Sequence, residues 1–260
     1  HQAVHGTLAA YVATAFAVAG FYAVALLKGR GGGDGKKALS LSLSVALVAA
    51  PLMLVTGDWA AYAVAEHQTA KLAAMEAHFK TSAAAPLIIG GWPDPETGTV
   101  SYAIRIPKLL SLLAHHDPDA VVQGLDAFPQ GTTPDPRLVH PFFDLMVGSF
   151  FVMALALVWY WWARWRKNET EPGRAQLKYL AFAAPFGIIA LESGWMVTEF
   201  GRQPWVVKGY LRTSQAVTPN DGLLLVFATF LFVYLALTVG IMRLLLQRQQ
   251  KGTGGEVSHD

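Results

Sequence analysis

Five stretches of this chain are apolar for long enough to cross a bilayer: 3–27, 38–56, 139–163, 178–200 and 222–246. The hydrocarbon core of a membrane is about 30 Å thick, and about 20 helical residues span it. Lipid offers the peptide backbone no hydrogen-bond partner, so each stretch must be a helix. This single feature excludes most soluble architectures. The composition agrees, with 53% of 260 residues hydrophobic and 15% charged. Pro51 and Pro185 fall inside two of the stretches and are expected to kink them. Neither a charged segment nor a small-residue cleavage site precedes the first stretch, so it reads as a span rather than a leader.

The connections are unequal. Two are short and basic, "KGRGGGDGKK" (28–37) and "RWRKNETEPGR" (164–174), and the last stretch runs into the basic "RLLLQRQQK" (243–251). Together these three regions and Lys178, just after the second, hold 12 of the 20 Lys and Arg residues (28, 30, 36, 37, 164, 166, 167, 174, 178, 243, 248 and 251). Positive flanks stay in the cytoplasm. The N-terminus, a long connection and a second, shorter loop are therefore expected outside. The layout expected is two helices with their basic turn (1–57), an extracytoplasmic loop (58–138), two more helices (139–200), an outer loop (201–221), a fifth helix (222–247) and a cytoplasmic tail (248–260) that is disordered after 251. The fold class is an all-α polytopic membrane protein. The aromatic cluster "WYWWARW" (159–165) suits the cytoplasmic interface.

Several function classes fall away. The chain has no cysteine, which excludes disulfides, iron–sulfur clusters, zinc–thiolate sites and thioether-linked haem. No basic tract is interleaved with aromatics, so nucleic acid is not an expected partner. The glycine-rich turn at 28–37 lacks the spacing of a phosphate-binding loop, having Arg30 where the first glycine belongs.

Polar side chains inside spans carry the functional signal, because each is costly in lipid. His5 lies just inside the outer end of the first span and Met146 a few residues into the third. Glu199 ends the fourth, with Trp195 and Glu192 four and seven residues before it on one helical face and Arg202 three residues after it. Topology brings these residues of three helices to the outer leaflet, where bundles build cofactor sites from facing side chains. An imidazole and a thioether at equal depth suit the axial pair of a low-spin haem. The bland alternatives are a core methionine, an interfacial histidine and a structural Glu199–Arg202 pair. In the long loop, "AKLAAMEAHFK" (70–80) also reads as an ordinary amphipathic helix with a Glu76–Lys80 pair. His67, His78, His115, His116 and His140 read as solvated loop histidines.

The segment "GWMVTEF" followed by "GRQPW" (201–205) resembles the signature of subunit I of the cytochrome bd quinol oxidases. Further segments follow in that family's order. "VHGTLAAYVATAF" (4–16) is similar to its low-spin-haem histidine helix, and "HPFFDLMVG" (140–148) to its methionine-ligand helix. "GDWAAYAVAEHQTAKLAAMEAHF" (57–79) and "YAIRIPKLLSLLAHHDPDAVVQGLD" (102–126) resemble a quinol loop in its short form. The resemblance implies that His5 and Met146 are axial ligands of a low-spin haem b. It implies that Glu199 ligates a high-spin haem b beside Arg202, and that Trp195 lies between that haem and haem d (or a further haem b). Glu192 joins the same cofactor-binding wall. Lys71 and Glu76 match the loop residues tied to quinol oxidation. Four helices are expected to form the haem-binding bundle, with one extra helix beside them.

The resemblance further implies an enzyme that oxidises quinol at the outer face, reduces oxygen to water with cytoplasmic protons and builds a proton gradient without a pump. Subunit II is the implied partner, in a bacterial or archaeal cytoplasmic membrane. Two departures stand out. The family's four preceding helices, which carry the histidine of the haem d site and the acidic residues of the proton route, are expected to be missing here. Asp144 stands where some members have arginine. Two readings from other classes compete: a haem-b electron-transfer subunit that reduces no oxygen, and a haem-free transporter whose Glu192 and Glu199 form a proton path.

Overall fold

The computed structural model describes residues 2–166, 171–220 and 222–253. Of the tail expected to be disordered after residue 251, residues 252–253 instead end a helix and the rest lies outside the described residues, as does the centre of the 164–174 turn. In chain order, α1 (Gln2–Leu27) and α2 (Gly32–His67) are followed by an outer loop. The loop holds α3 (Thr69–Met75), β1 (Ser82–Ala83), β2 (Leu87–Ile89), β3 (Trp92–Asp94), β4 (Thr99–Ser101), β5 (Ile104–Ile106), α4 (Leu109–His115) and β6 (Val121–Val122). Then come α5 (Pro136–Arg166), α6 (Arg174–Ala183) and α7 (Phe186–Phe200), with β7 (Trp205–Val207), β8 (Leu211–Arg212) and α8 (Leu223–Thr253) last.

Five spans are long and apolar enough to cross a membrane, α6 and α7 together making the fourth. Pro185 separates those two because it has no N–H to donate. The helix resumes when Ile189 N–H donates to Pro185 O at 3.0 Å. Pro51, by contrast, sits within a continuous α2. That helix does not stop at the membrane surface but continues through Gly57 to His67.

The chain divides into two units, His1–Ser214 and Gln215–Asp260. In the first, α1 packs on α2, α6 and α7, while α5 packs mainly on α7. Phe16, Leu39, Leu43, Met153 and Leu180 are its largest apolar core residues. In lipid, helices associate through small residues that let backbones approach. Here a Cβ on Gly187 would fall 2.8 Å from Ala13 Cα, and one on Gly20 would overlap Ala184 Cβ. The second unit contains α8, and none of the residues in its apolar window is buried.

Outside the membrane the chain can use irregular backbone, and the described loops contain four two-stranded antiparallel ladders: β1–β6, β2–β5, β3–β4 and β7–β8. The loop stands on the bundle through an apolar cluster. Leu72, Leu110 and Val122 of the loop meet Val64 of α2, Val139 of α5 and Val197 of α7. Burying each such side chain contributes about 1.5–3 kcal/mol. The ends of α2, α5 and α7 on this side therefore lie under one folded cap.

Replacing Gly187 by leucine forces a side chain into the α1 backbone, where overpacking costs about 1–3 kcal/mol or more. Gly187→Leu is expected to lower the yield of monodisperse, detergent-extracted protein severely. Gly148→Leu, at a glycine with no neighbour within 4 Å of a Cβ, is the matched control expected to keep that yield.

Candidate functional site

His5 sits in the first turns of α1 with its ring against α2. A Cβ on Gly57 would lie 3.4 Å from His5 Cε1, so this glycine gives the ring its place. Thr56 hydroxyl donates to Met53 O at 3.2 Å and lies 3.3 Å from His5 Nδ1. The hydroxyl's hydrogen is thus used, and Nδ1 supplies the hydrogen of the second contact. Nε2 keeps its lone pair.

Met146 is half-buried on α5 and lies across α7, with its sulfur 3.0 Å from where a Cβ on Gly194 would stand. Glycines 6 and 148, next to these two side chains in sequence, have no atom within 4 Å of a Cβ. The polar stripe of α7 takes another direction. Ala190, Ser193 and Val197 form its buried face, whereas Glu192, Trp195 (59% exposed) and Glu199 stand on its exposed face. Arg202 Nη2 lies 3.8 Å from Glu199 Oε1.

Lys71 reaches this same end of α7. A Cβ on Gly201 would fall 2.6 Å from Lys71 Cε, so the glycine that opens the GRQPW motif makes room for the lysine stem. Burial holds the Lys71 ammonium below its ordinary pKa; the Arg202 charge adds to this and Glu199 opposes it. The motif's Trp205 is fixed from the loop side, its indole N–H donating to Thr132 O at 3.0 Å.

Glu76 is 6% exposed and caps α3. The amphipathic helix expected over 70–80 stops here. Ala77 takes φ 45°, and His78 N–H donates back to Ala73 O at 2.8 Å while Ala77 N–H donates to Ala74 O at 3.4 Å. This is a left-handed helix stop with alanine in a place usually given to glycine. It ends the helical path between Glu76 and Lys80 and turns the carboxyl inward. Burial raises the Glu76 pKa to about 8, and the nearby Asp144 carboxylate adds to the rise.

Two histidines expected to be solvated are buried: His140 at 0% and His78 at 5% exposure. His140 Nδ1 lies 2.7 Å from Met75 O and Nε2 lies 3.2 Å from Gly90 O. Asp144 Oδ2 accepts from Gly90 N–H at 2.6 Å and lies 3.4 Å from His140 Nε2. The signal for this pair was available as an i,i+4 His–Asp spacing in the helix-opening "HPFFD". His67 and His116 are exposed, and His116 Nε2 lies 3.8 Å from Asp58. Among the described residues no three His, Asp or Glu side chains converge as a metal cluster.

Residues 1–253 match the family model described as cytochrome bd terminal oxidase subunit I. The chain belongs to this family. It is 35% identical over 247 residues to the putative cytochrome bd menaquinol oxidase subunit I of Bacillus subtilis, covering 93% of this chain and 55% of that protein. It is 27% identical to subunit 1 of the cytochrome bd-II ubiquinol oxidase of Escherichia coli, covering 82% of this chain and 54% of that one. Its fold matches the bd oxidase of Geobacillus thermodenitrificans with a TM-score of 0.84 at 33% identity, over 95% of this chain and 57% of that one. The chain thus spans a little over half the length of these relatives.

In this cytochrome bd subunit I chain, Glu76 gives a stability test. Its folded pKa lies above its unfolded value of 4.5, so the folded state holds the proton longer. Stability therefore falls as pH rises from 4.5 to about 8, by up to about 1.4 kcal/mol per pH unit, and is level above that window. Glu76→Gln is expected to slow hydrogen exchange of the loop above about pH 8 and to leave it unchanged below pH 4.5. A difference that does not vary with pH would contradict the assignment.

Proposed function

We propose that the chain is the haem-binding and quinol-oxidising part of a terminal respiratory quinol:oxygen oxidoreductase. It works with subunit II in a bacterial or archaeal cytoplasmic membrane. Family membership supports the reaction class. One observation carries the quinol step: a buried carboxyl at the outer rim, Glu76, is seated against the helix that bears Met146.

The residues present fit the implied cofactors. His5 offers Nε2, because Thr56 engages Nδ1, and Met146 offers a thioether from a second helix. That donor pair suits a low-spin haem b. Glu199 on the exposed face of α7 suits a carboxylate ligand of a high-spin haem b, and Arg202 beside it suits haem propionates. Trp195 and Glu192 extend the same stripe toward a third haem, haem d or a further haem b. When bound, these haems supply the one-electron chemistry that links quinol to oxygen.

Quinol must lose two electrons and two protons to become quinone. Lys71, close to Gly201 and Arg202, donates a hydrogen bond to a ring oxygen. Glu76 accepts a quinol proton in its carboxylate form, and a pKa of about 8 keeps both forms populated near neutrality. Protons from quinol leave on the outer side, and those that form water come from the cytoplasm. The gradient then needs no separate pump.

Two measurements on the complete oxidase test this reading. Met146→Leu is expected to abolish the low-spin b signal in the reduced-minus-oxidised spectrum while assembly persists; an unchanged spectrum refutes the ligand. Glu76→Gln is expected to lower quinol turnover by about 10²–10⁴-fold and to keep turnover from an artificial electron donor. Equal loss with both donors assigns Glu76 a structural role instead.

A further inference from the structure

The carbonyls at the end of α3 are all accounted for, and the last is taken by a side chain. Leu72, Ala73 and Ala74 oxygens accept from the N–H groups of Glu76, His78 and Ala77. Met75 O accepts from no backbone N–H; it lies 2.7 Å from His140 Nδ1. A helix end buried without partners is unstable, so this contact completes the cap. The Met75 carbonyl belongs to the peptide that leads into Glu76, and His140 thereby fixes the plane from which the Glu76 side chain departs.

The other side of the ring reaches a second segment. His140 Nε2 faces Gly90 O at 3.2 Å, and Asp144 Oδ2 takes Gly90 N–H at 2.6 Å. Gly90 has φ +67°, a conformation that suits glycine, in the corner between β2 and β3. Its N–H and C=O are both turned to α5. Either tautomer of His140 finds a carbonyl acceptor, and the ring is fully enclosed. One turn of α5, from His140 to Asp144, thus faces three backbone groups of two separate loop segments: Asp144 accepts from Gly90 N–H, and the ring N–H of His140 serves one of the two carbonyls. The same helix carries Met146 two residues later.

We propose that His140 and Asp144 form a clip that positions Glu76 for quinol oxidation relative to the Met146 helix. This rests on the proposed function. His140 touches no reacting atom in this scheme; it is a positioning residue that acts through the Met75–Glu76 peptide. The clip gives Asp144 a task that a cationic side chain could not perform, because guanidinium and ammonium have no acceptor for the Gly90 N–H. Positional errors of about 1 Å in such groups cost about 10²-fold in rate.

The test uses the complete oxidase. His140→Phe removes both ring contacts and keeps the apolar volume; His140→Gln keeps one donor; Asp144→Leu removes the Gly90 acceptor. The expected result for His140→Phe is an unchanged low-spin haem spectrum, artificial-donor turnover within about twofold, and quinol kcat lowered about tenfold or more with KM moved less than about threefold. His140→Gln should recover part of the kcat, and Asp144→Leu should fall between the wild type and His140→Phe. Undiminished quinol kcat in His140→Phe, or equal loss with both donors, overturns the clip. Should His140→Phe lose its haem, the kcat of His140→Gln and Asp144→Leu decides: wild-type values in both overturn the clip. A Glu76→Gln control separates the two levels of the argument. If the clip alone is wrong, Glu76→Gln is inactive with quinol while His140→Phe is fully active. If the functional reading is wrong, Glu76→Gln itself is fully active, and the clip falls with it.

Discussion

A peptide group in lipid has no partner except another peptide group, and the plan of this molecule follows from where that constraint applies. Inside the membrane every described element is a helix, and even the Pro185 break is only a short interruption between α6 and α7. Outside it, water and side chains satisfy the backbone, and the chain turns at once to short ladders and left-handed corners. The two regimes meet at the outer ends of α2, α5 and α7, where Val64, Val139 and Val197 join the loop core. The candidate chemistry is gathered at that border. His5, Met146 and Glu199 come from the helical side, and Lys71 and Glu76 from the loop side.

The border is also where side chains take over backbone hydrogen bonding. Trp205 serves Thr132 O, Asp144 serves Gly90 N–H and His140 serves Met75 O. Such contacts connect segments far apart in sequence. Each fixes a loop to a rigid helix or to the GRQPW turn, and sites held by rigid elements keep their geometry better than free loops. The loop is therefore a folded cap with defined feet on the bundle.

Much of this was legible in the sequence, for reasons that can be stated residue by residue. The five spans are written in apolar run length, and the break in the fourth at Pro185 in the missing N–H. The short turns between spans were written in their glycines, lysines and arginines. What stayed hidden depends on local backbone or on long-range burial. The run "AKLAAMEAHFK" has the composition of a helix, and nothing in it announces that Ala77 adopts a left-handed conformation. His140 looks like any histidine at a loop edge until Met75 and Gly90, distant in the chain, close over it. The direction of the Glu192–Trp195–Glu199 stripe was beyond periodicity as well, since a shared face does not say which neighbour it meets. Gly187 and Gly194 likewise gained meaning only with Ala13 and Met146 across from them.

The unbroken length of α2 has a mechanical consequence. Its 36 residues make a rod about 54 Å long, well beyond the hydrocarbon thickness of about 30 Å. The rod begins at the basic turn, where Lys36 pairs with Glu171, and enters the loop core at Val64. Thr56 and Gly57, on which the half-buried His5 ring rests, sit between those anchors. The loop core and the imidazole therefore share one support, the helix that runs from the basic turn to the cap.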